Sequence, residues 1–306
     1  MQSSPFDFTN NHGTSIHVHR WLPDGEPKAV VQIAHGMQEH GARYEVLASA
    51  LVPLGYAVYA NDHQGHGASM VKQGQPGVLG PDGREGVLAD MLQLLSMERE
   101  THPDLPIFLF GHSWGSFLTQ RFIQLHGELL AGAILSGSNG SNPLVGIGAY
   151  AAQLVTAIRG EERTAVLLKF LSTGDFNKQF EPGKTGFEWL SRDEAAVQAY
   201  VDDPQCGVDF PNVFFREMVA LVKECWQPAH EAQIPGNLPI YIFSGGQDPV
   251  GFNGKGIKAL VKRYQHLGIQ DLEYRVYPGG RHEMLNETNR TEVLGHIVDW
   301  LEKRTA

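Results

Sequence analysis

The chain has 306 residues, of which 42% are hydrophobic and 19% charged, a composition typical of an ordered protein that buries a large core. Its formal charge of −10 comes without a basic cluster, which argues against nucleic acid and strongly anionic membranes as partners. No run reaches the roughly 18 apolar residues that span a bilayer, and residues 1–9 lack the features of a signal peptide, so we expect a cytoplasmic protein.

Apolar strand-like runs alternate with helical stretches along the chain, which predicts a mainly parallel α/β sheet. The first two runs predict an antiparallel pair joined by the turn 10–13. About eight strands are predicted, at residues 6–9, 15–22, 29–34, 57–61, 107–110, 133–135, 240–243 and 272–277. Helices are predicted at residues 42–54, 84–100, 116–125, 213–225, 258–266 and 291–303. The first of these helices is expected to end at Gly55.

This alternation is interrupted once, between residues 138 and 238. An apolar helix is predicted at 144–158, and a polar stretch follows from 174 to 209. We interpret residues 140–209 as a helical cap inserted over the carboxyl edge of the sheet, where ligands bind in open α/β folds. The predicted organisation is therefore a core formed by residues 1–139 and 210–306, with the cap between its two parts.

The helix predicted at 144–158 is apolar on two sides. One stripe consists of Leu144, Ile147, Ala151, Leu154 and Ile158, and the other of Val145, Ala149 and Ala152. Such a helix is either buried against the main domain or partly exposed to a lipid. Transient contact of the cap with a membrane surface is the second of these alternatives.

One motif identifies a candidate nucleophile. Gly111-His112-Ser113-Trp114-Gly115 follows the apolar run 106–110 and precedes a helical stretch. This is G-x-S-x-G in a strand–turn–helix context, the nucleophile elbow of serine hydrolases. Because the turn is tight, a β-carbon two positions before or after the serine would collide with the neighbouring strand or helix. We therefore predict that Ser113 is the nucleophile.

The nucleophile needs a general base, and the base needs an orienting carboxylate. In this fold the chain order is serine, acid, histidine, each after a strand. Asp248 follows the strand predicted at 240–243 through a glycine turn, and His282 follows that at 272–277. Either residue alone would be typical of a turn or a surface position. Their order and their places at strand ends predict the catalytic triad Ser113, His282 and Asp248.

Acyl transfer also needs fixed N–H groups that stabilise the negative oxygen of the tetrahedral intermediate. One backbone donor is predicted at Trp114, the residue after the nucleophile. The second is predicted at Met37, in the His-Gly turn Ala34-His35-Gly36-Met37 after the third strand. These two N–H groups form the predicted oxyanion hole.

The other histidine and cysteine groupings predict no metal or cofactor site. His17 and His19 face the same side of an edge strand, but no further ligands are recognised near them. The run Asp62-His63-Gln64-Gly65-His66-Gly67 is a glycine turn whose histidines are interpreted as packing residues. Cys206 and Cys225 lack metal-ligand spacing, and two reduced thiols are preferred over a disulfide.

With these residues identified, the chain resembles the α/β-hydrolases of the monoacylglycerol lipase and lysophospholipase group over nearly its whole length. The resemblance rests on the elbow and on four further segments, which are His35-Gly36-Met37-Gln38-Glu39-His40-Gly41-Ala42-Arg43-Tyr44, Asp62-His63-Gln64-Gly65-His66-Gly67-Ala68-Ser69, Trp189-Leu190-Ser191-Arg192-Asp193 and Gly279-Gly280-Arg281-His282-Glu283. It implies an α/β-hydrolase fold with a mostly parallel eight-stranded sheet and a cap that shapes an acyl tunnel. It also implies a serine hydrolase of monoacylglycerols, lysophospholipids or simple esters.

Two positions depart from the pattern of that group. Gln38 stands where the group often has glycine, and Trp114 stands where a smaller apolar residue is common. Because Trp114 adjoins the nucleophile, its ring could narrow the acyl or alcohol pocket.

The leading hypothesis is therefore hydrolysis of carboxylic esters of monoacylglycerol-like lipids, with a general carboxylesterase or lysophospholipase as the alternative. A serine peptidase would need acidic residues for the substrate ammonium, for which Glu161, Glu162 and Glu188 are available. A non-catalytic binding protein is disfavoured because all three triad residues are present. Dehalogenase and epoxide hydrolase chemistry is disfavoured because it uses an aspartate where Ser113 stands. The oligomeric state is not encoded in any motif.

Overall fold

The computed structural model describes residues 1–140 and 145–305, which contain nine strands and eleven α-helices. The strands are β1 (Gln2–Ser3), β2 (Phe6–Thr9), β3 (Ser15–Leu22), β4 (Ala29–Ala34), β5 (Tyr56–Asn61), β6 (Ile107–His112), β7 (Gly132–Ser136), β8 (Ile240–Gly245) and β9 (Leu272–Tyr277). The helices are α1 (Glu45–Leu51), α2 (Gly67–Gln73), α3 (Gly83–Thr101), α4 (Trp114–His126), α5 (Val145–Arg159), α6 (Val166–Thr173), α7 (Glu194–Asp202), α8 (Asn212–Cys225), α9 (Pro228–Glu231), α10 (Lys255–His266) and α11 (Arg290–Thr305).

The strands form one sheet in the order β1-β3-β5-β4-β6-β7-β8-β9, and β2 pairs with β3. The pairs from β5 to β9 are parallel, whereas β1, β2 and β5 all run antiparallel to β3. The predicted α/β-hydrolase fold with a mainly parallel sheet is confirmed. Because parallel strands all end at one edge, the loops after β4, β6, β8 and β9 lie along that edge.

Alternate residues of each parallel strand enter two different cores, since successive side chains point to opposite faces. Val30 of β4 packs in the core that contains residues of α3, α4, α8 and α10, and Val31 packs in the core that contains residues of α1 and α11. Every residue of β4, β5 and β6 is buried. This burial is expected for a parallel sheet that helices cover on both faces.

Most predicted elements are present with shifted ends, but the helix predicted at 42–54 is wrong as a single helix. It consists of α1 between two 3-10 turns, Gly41–Tyr44 and Val52–Leu54. Pro53 lies at the start of the second turn and has no N–H to continue the α-helical hydrogen bonds. Gly55 ends the segment as predicted, with a φ of 90° and a hydrogen bond from its N–H to Val52 O.

Five elements were not predicted, namely β1, α2, α6, α7 and α9. Strand β1 has two residues and α9 has four, too few for a periodic pattern, and α2 begins in a glycine turn. Helix α7 lies within residues 174–209, for which the sequence predicts a polar stretch and no helix. Its signal was the N-cap Asp193, whose side chain accepts hydrogen bonds from Ala195 N at 3.0 Å and Ala196 N at 3.3 Å.

The insert between β7 and α8 carries α5, α6 and α7. Helix α5 packs against α8 and buries its small residues, Ala149, Ala152 and Thr156. The bulky stripe faces solvent, with exposed fractions of 68% at Ile147, 48% at Leu154 and 74% at Ile158. The alternative that both sides of this helix are buried is therefore wrong. Leu144 of the predicted stripe lies outside the described residues. No helix within residues 1–140 and 145–305 is both long and apolar enough to cross a membrane.

Candidate active site

Ser113 lies in the turn between β6 and α4, at the carboxyl edge of the sheet. Its backbone has a φ of 53° and a ψ of −121°, a strained conformation for a residue with a β-carbon. Two hydrogen bonds hold the turn, since Ser113 N–H donates to Ser136 O at 2.9 Å and Ser116 N–H donates to Ser113 O at 2.8 Å. The serine side chain is only half-buried.

The two glycines that flank this turn have no room for a side chain. A β-carbon at Gly115 would lie 2.1 Å from Ala34 O, and one at Gly111 would lie 2.2 Å from Thr119 Oγ1. Both distances are far inside van der Waals contact. The predicted steric reason for glycine at each end of the motif is confirmed.

Asp248 and His282 meet at the same edge, in the loops after β8 and β9. His282 Nδ1 lies 3.0 Å from Asp248 Oδ1, and both side chains are buried. Asp248 also accepts hydrogen bonds from Ser244 Oγ at 2.6 Å and Val250 N at 2.9 Å. The carboxylate is thus fixed by three donors, one of which is the imidazole.

The charges of this pair stabilise each other. Burial alone would raise the pKa of Asp248, but the charge and hydrogen bond of His282 outweigh it and hold this pKa below its ordinary 3.8. Burial alone would lower the pKa of His282, but the charge and hydrogen bond of Asp248 raise it above the ordinary 6.5. An imidazolium that forms at His282 therefore has its counter-ion already in place.

The other edge of the His282 ring faces the cavity beside Ser113. Its Nε2 has no hydrogen-bond partner among the described residues, so the structure does not join it to the Ser113 hydroxyl; such bonds often tighten only when substrate binds. The ring lies between His112 and Trp189, at centroid distances of 4.7 and 5.0 Å. Gly137 lies against this ring, since a β-carbon there would lie 2.9 Å from His282 Cε1.

The loop after β4 runs alongside the nucleophile. A β-carbon at Gly36 would lie 3.2 Å from Ser113 Cβ, so the residue before the predicted donor Met37 lies against the nucleophile. Gly36 N–H donates to Glu39 Oε1 at 2.6 Å. Gln38 has a left-handed φ of 59°, which accounts for the glycine often found at this position in the group that the sequence resembles.

The Trp114 ring points away from the cavity, so the expectation that it narrows the pocket is wrong. The ring is buried, stacks on His66 at 5.0 Å, and packs edge-on against His63 at 5.4 Å and near Phe214 at 5.1 Å. Burial lowers the pKa of His63 and lowers that of His66 to about 3. Both histidines are therefore neutral packing residues, as predicted.

A cavity of about 420 Å³ opens over Ser113, a size suited to a small or medium ligand. Its base is formed by the core, with Met37, Gln38, His112, Ser113 and His282. Much of its wall belongs to the insert, including Val166, Phe187, Trp189, Leu190, Tyr200 and Asp209. Ser113 and His282 both line this cavity, and the inserted segment supplies much of the wall around them.

A buried group of charges lies beneath this cavity and was not predicted as part of the site. Arg43 donates to Glu39 Oε2 and makes two hydrogen bonds of 2.7 Å to Glu283. Tyr44 OH also donates to Glu39, at 2.8 Å. Arg43 therefore joins the loop after β4 to the residue that follows His282. The sequence signal was present, because these residues belong to the motif segments, but their pairing across the fold was not evident.

The structure corrects the interpretation of His19, which has further ligand-type side chains close by. One ligand atom from each of His19, His40 and Asp62 lies within 4.8 Å of the others. These atoms already have protein partners, since His19 Nε2 lies 3.2 Å from Asp62 Oδ1, Gly41 N–H donates to Asp62, and His40 Nε2 lies 2.9 Å from Asp203 Oδ2. That the protein has no metal site stays a prediction. Elsewhere, the predicted free thiols are confirmed at positions 206 and 225.

Comparisons with known proteins agree with this geometry. The family described as Serine aminopeptidase, S33 matches residues 25–289. The monoacylglycerol lipase of Mycolicibacterium smegmatis is 29% identical, over 97% of this chain and 96% of that protein, and the human monoglyceride lipase is 28% identical, over 100% and 94%. The crystal structure of a thermostable carboxyl esterase from Bacillus coagulans covers both chains completely, with a TM-score of 0.93 and 27% identity. The resemblance inferred from the motifs is confirmed.

Proposed function

The chain belongs to the serine aminopeptidase, S33 family of α/β hydrolases, and from this premise we propose that it hydrolyses the ester bond of monoacylglycerol-like lipids through an acyl-enzyme on Ser113. The observation that carries the proposal is the buried His282–Asp248 pair, whose histidine lines the same cavity as a serine on a strained turn. Relatives named as monoacylglycerol and monoglyceride lipases support the substrate class.

In the first half-reaction the Ser113 Oγ attacks the substrate carbonyl carbon while His282 Nε2 takes the hydroxyl proton. Asp248 holds the imidazole in place and stabilises the imidazolium. The backbone N–H groups of Met37 and Trp114 stabilise the oxygen that becomes negative. The intermediate then collapses, the proton passes from His282 to the glycerol oxygen, and the acyl group stays on Ser113.

In the second half-reaction water replaces glycerol. His282 takes a proton from the water molecule, the resulting oxygen attacks the acyl carbon, and the second tetrahedral intermediate releases the fatty acid. The proton returns to Ser113, which restores the free enzyme. Because His282 must be neutral to act as base, its raised pKa places the acidic limb of the activity profile above the ordinary histidine value of 6.5.

The apolar part of the cavity wall favours an acyl chain as the ligand. Val166, Phe187, Trp189 and Leu190 are apolar and come from the insert, which also contributes Lys169, Asn177 and Asp209. Apolar walls combined with a small number of polar groups are typical of small-molecule sites. We propose residues 140–209 as a cap that shapes this wall, in accordance with the boundaries predicted from the sequence.

A serine peptidase is the weaker alternative, because two of the three acidic side chains that it would use have partners and the third does not line the cavity. Glu161 pairs with Arg216 at the surface. Glu188 accepts hydrogen bonds from Thr185 N at 2.6 Å and from four other donors, and its pKa is lowered to about 2 because these donors outweigh its partial burial. Glu162 is exposed and is not among the residues that line the cavity.

The substrate class is tested with monoacylglycerols of graded acyl length, assayed beside lysophosphatidylcholine and an aminoacyl-naphthylamide. We expect the highest kcat/KM on medium- or long-chain monoacylglycerols, because the apolar wall gains free energy with each buried methylene, about 0.8 kcal/mol. A preference for short acyl chains would make the protein a general carboxylesterase. Hydrolysis of the naphthylamide alone would replace the proposal with a peptidase.

We propose further that the exposed stripe of α5 makes transient contact with the lipid surface that holds the substrate. Ile147, Leu154 and Ile158 form an exposed apolar surface on the same insert that lines the cavity. Transfer of two such side chains into lipid would contribute about 3–6 kcal/mol. The formal charge of −10 favours neutral over anionic lipid.

The test of this contact is the double variant Ile147→Glu/Ile158→Glu, assayed with monoacylglycerol embedded in neutral phosphatidylcholine vesicles and with a water-soluble p-nitrophenyl ester. We expect a rate loss of about 10-fold or more on vesicles and an unchanged rate on the soluble ester. Leu125→Glu, at an exposed apolar position on α4, is the control. Equal rates of the double variant and wild type on vesicles would refute the contact.

A further inference from the structure

The insert is hydrogen-bonded to the same short loop that carries the proposed oxyanion donor. The carbonyl of Gln38 accepts two hydrogen bonds from the insert, one from Tyr200 OH at 3.0 Å and one from Gly207 N at 2.9 Å. Gln38 directly follows Met37, so these bonds act one residue from the proposed donor. On the other side of the loop, Glu39 fixes the Gly36 N–H.

The Gln38 side chain adds a third bond to the insert. Its Nε2 donates to Val208 O at 2.6 Å, and the residue is itself buried. A non-glycine residue with a φ of 59° is in an uncommon, strained conformation. Such a conformation persists where the surroundings over-determine it, and here the surroundings are the insert.

Tyr200 is held rigidly enough to direct its hydroxyl. The side chain is 5% exposed, the Arg43 guanidinium lies over its ring at 5.0 Å, and the Phe187 ring lies 5.1 Å from it. Its hydroxyl donates to Gln38 O and its ring forms part of the cavity wall. Because its side chain is held by these contacts, the Tyr200 hydroxyl can fix the position of the Gln38 carbonyl.

We propose that Tyr200 is a positioning residue through which the docked insert completes the oxyanion hole. The proposal rests on the proposed function, because it assumes that Met37 N–H stabilises the oxyanion. Oxyanion donors act only when they lie about 2.7–3.1 Å from the developing charge, and a misplacement of about 1 Å can lower a rate 10²-fold. Three hydrogen bonds between Gln38 and one inserted segment hold the loop on which this distance depends.

A competing role for Tyr200 is direct contact with substrate, since its ring lines the cavity. The two roles affect different constants. A loosened oxyanion hole weakens only the transition state and lowers kcat, whereas a lost contact made equally in both states raises KM. The split between these constants therefore separates a positioning residue from a binding residue.

The experiment compares Tyr200→Phe and Gln38→Gly with wild type on the best ester found. Tyr200→Phe keeps the ring and removes one donor, and Gln38→Gly removes the bond to Val208 while permitting the same φ. We expect each to lower kcat about 10-fold, less than the 10²–10³-fold loss of a donor itself, with KM within about twofold. Arg290→Ala breaks a surface ion pair to Asp193 of the insert without touching the loop, and we expect it to keep wild-type kcat.

A trifluoromethyl ketone provides the second readout, because its adduct with Ser113 places an oxygen where the oxyanion forms. We expect its inhibition constant to rise in both variants by the same factor as kcat/KM falls. Unchanged kcat in both variants, a change confined to KM, or an unaltered inhibition constant would each overturn the positioning role. A wild-type protein that hydrolyses no ester and does not react with a fluorophosphonate at Ser113 would instead refute the proposed function, so the two failures are distinct.

Discussion

Replacement of Ser113 by alanine is expected to lower kcat on a monoacylglycerol by about 10⁶-fold, the loss seen when the nucleophile of a triad is removed. The reason is that His282 and Asp248 then have no hydroxyl to activate, and only the oxyanion donors and the binding cavity remain. Substrate affinity and the melting temperature are expected to stay close to those of wild type, because alanine keeps the β-carbon that the turn already accommodates.

The measurement is kcat on purified protein, combined with mass spectrometry after treatment with a fluorophosphonate. Wild type should gain one adduct at Ser113, and the variant should gain none. Ser96→Ala is the matched control, since Ser96 is exposed on α3 and bonds only within its helix. If Ser113→Ala retained most of the activity, the acyl-enzyme mechanism would be wrong.

Replacement of Arg43 by methionine is expected to lower the free energy of unfolding by about 3–5 kcal/mol at pH 7, the cost of breaking a buried ion pair. The variant leaves the carboxylates of Glu39 and Glu283 buried without their shared cation. Arg43→Lys should lose less, because it keeps the charge but not the fork that bonds Glu283 twice. Arg290→Met removes an exposed ion pair and should have no measurable effect.

The pH dependence of this loss follows from the pKa of Glu39. Burial alone would raise that pKa, but Arg43 outweighs it and holds the pKa at about 2, below the ordinary 4.5. In wild type this ion pair therefore stabilises the fold above pH 4.5, and the contribution is lost as the pH falls toward 2. Without Arg43, burial raises the pKa of Glu39. The folded variant then takes up a proton more readily than the unfolded chain, so its free energy of unfolding should increase as the pH falls.

Urea unfolding at pH 7 and pH 5.5 measures both effects. The difference between wild type and Arg43→Met should be smaller at pH 5.5. The double variant Arg43→Met/Glu283→Gln should recover part of the stability at pH 7, since it removes one of the two uncompensated charges. A loss below about 1 kcal/mol, or a loss independent of pH, would contradict a buried and ionised network.

The strands and the candidate triad could be predicted because both are encoded locally. Apolar runs bounded by glycine turns mark the strands, and the parallel order of the sheet brings their carboxyl ends to one edge. Asp248 and His282 could therefore be chosen by their positions after β8 and β9, without knowledge of any contact between them. Their hydrogen bond is a consequence of topology rather than of either local sequence.

Contacts between distant segments could not be predicted in the same way. Arg43 and Glu283 are separated by 240 positions, and no periodicity relates them. The motif around Ser113 fixes the backbone turn but not the direction of the Trp114 ring, which the buried histidines of another loop accommodate. Helices α6 and α7 of the insert were missed for a related reason, because short helices owe their stability to tertiary packing rather than to their own periodicity.

The reacting groups come from the sheet edge, whereas much of the cavity wall comes from residues 140–209. Substitutions in that stretch can change which acyl chains the cavity accepts while the catalytic residues stay the same. Related proteins can therefore differ in substrate range and share one mechanism. Under our proposal Tyr200 is the exception, since it shapes the wall and also holds the loop after β4. Substitutions at Phe187 or Leu190 would then change substrate specificity alone, whereas a substitution at Tyr200 would change both rate and specificity.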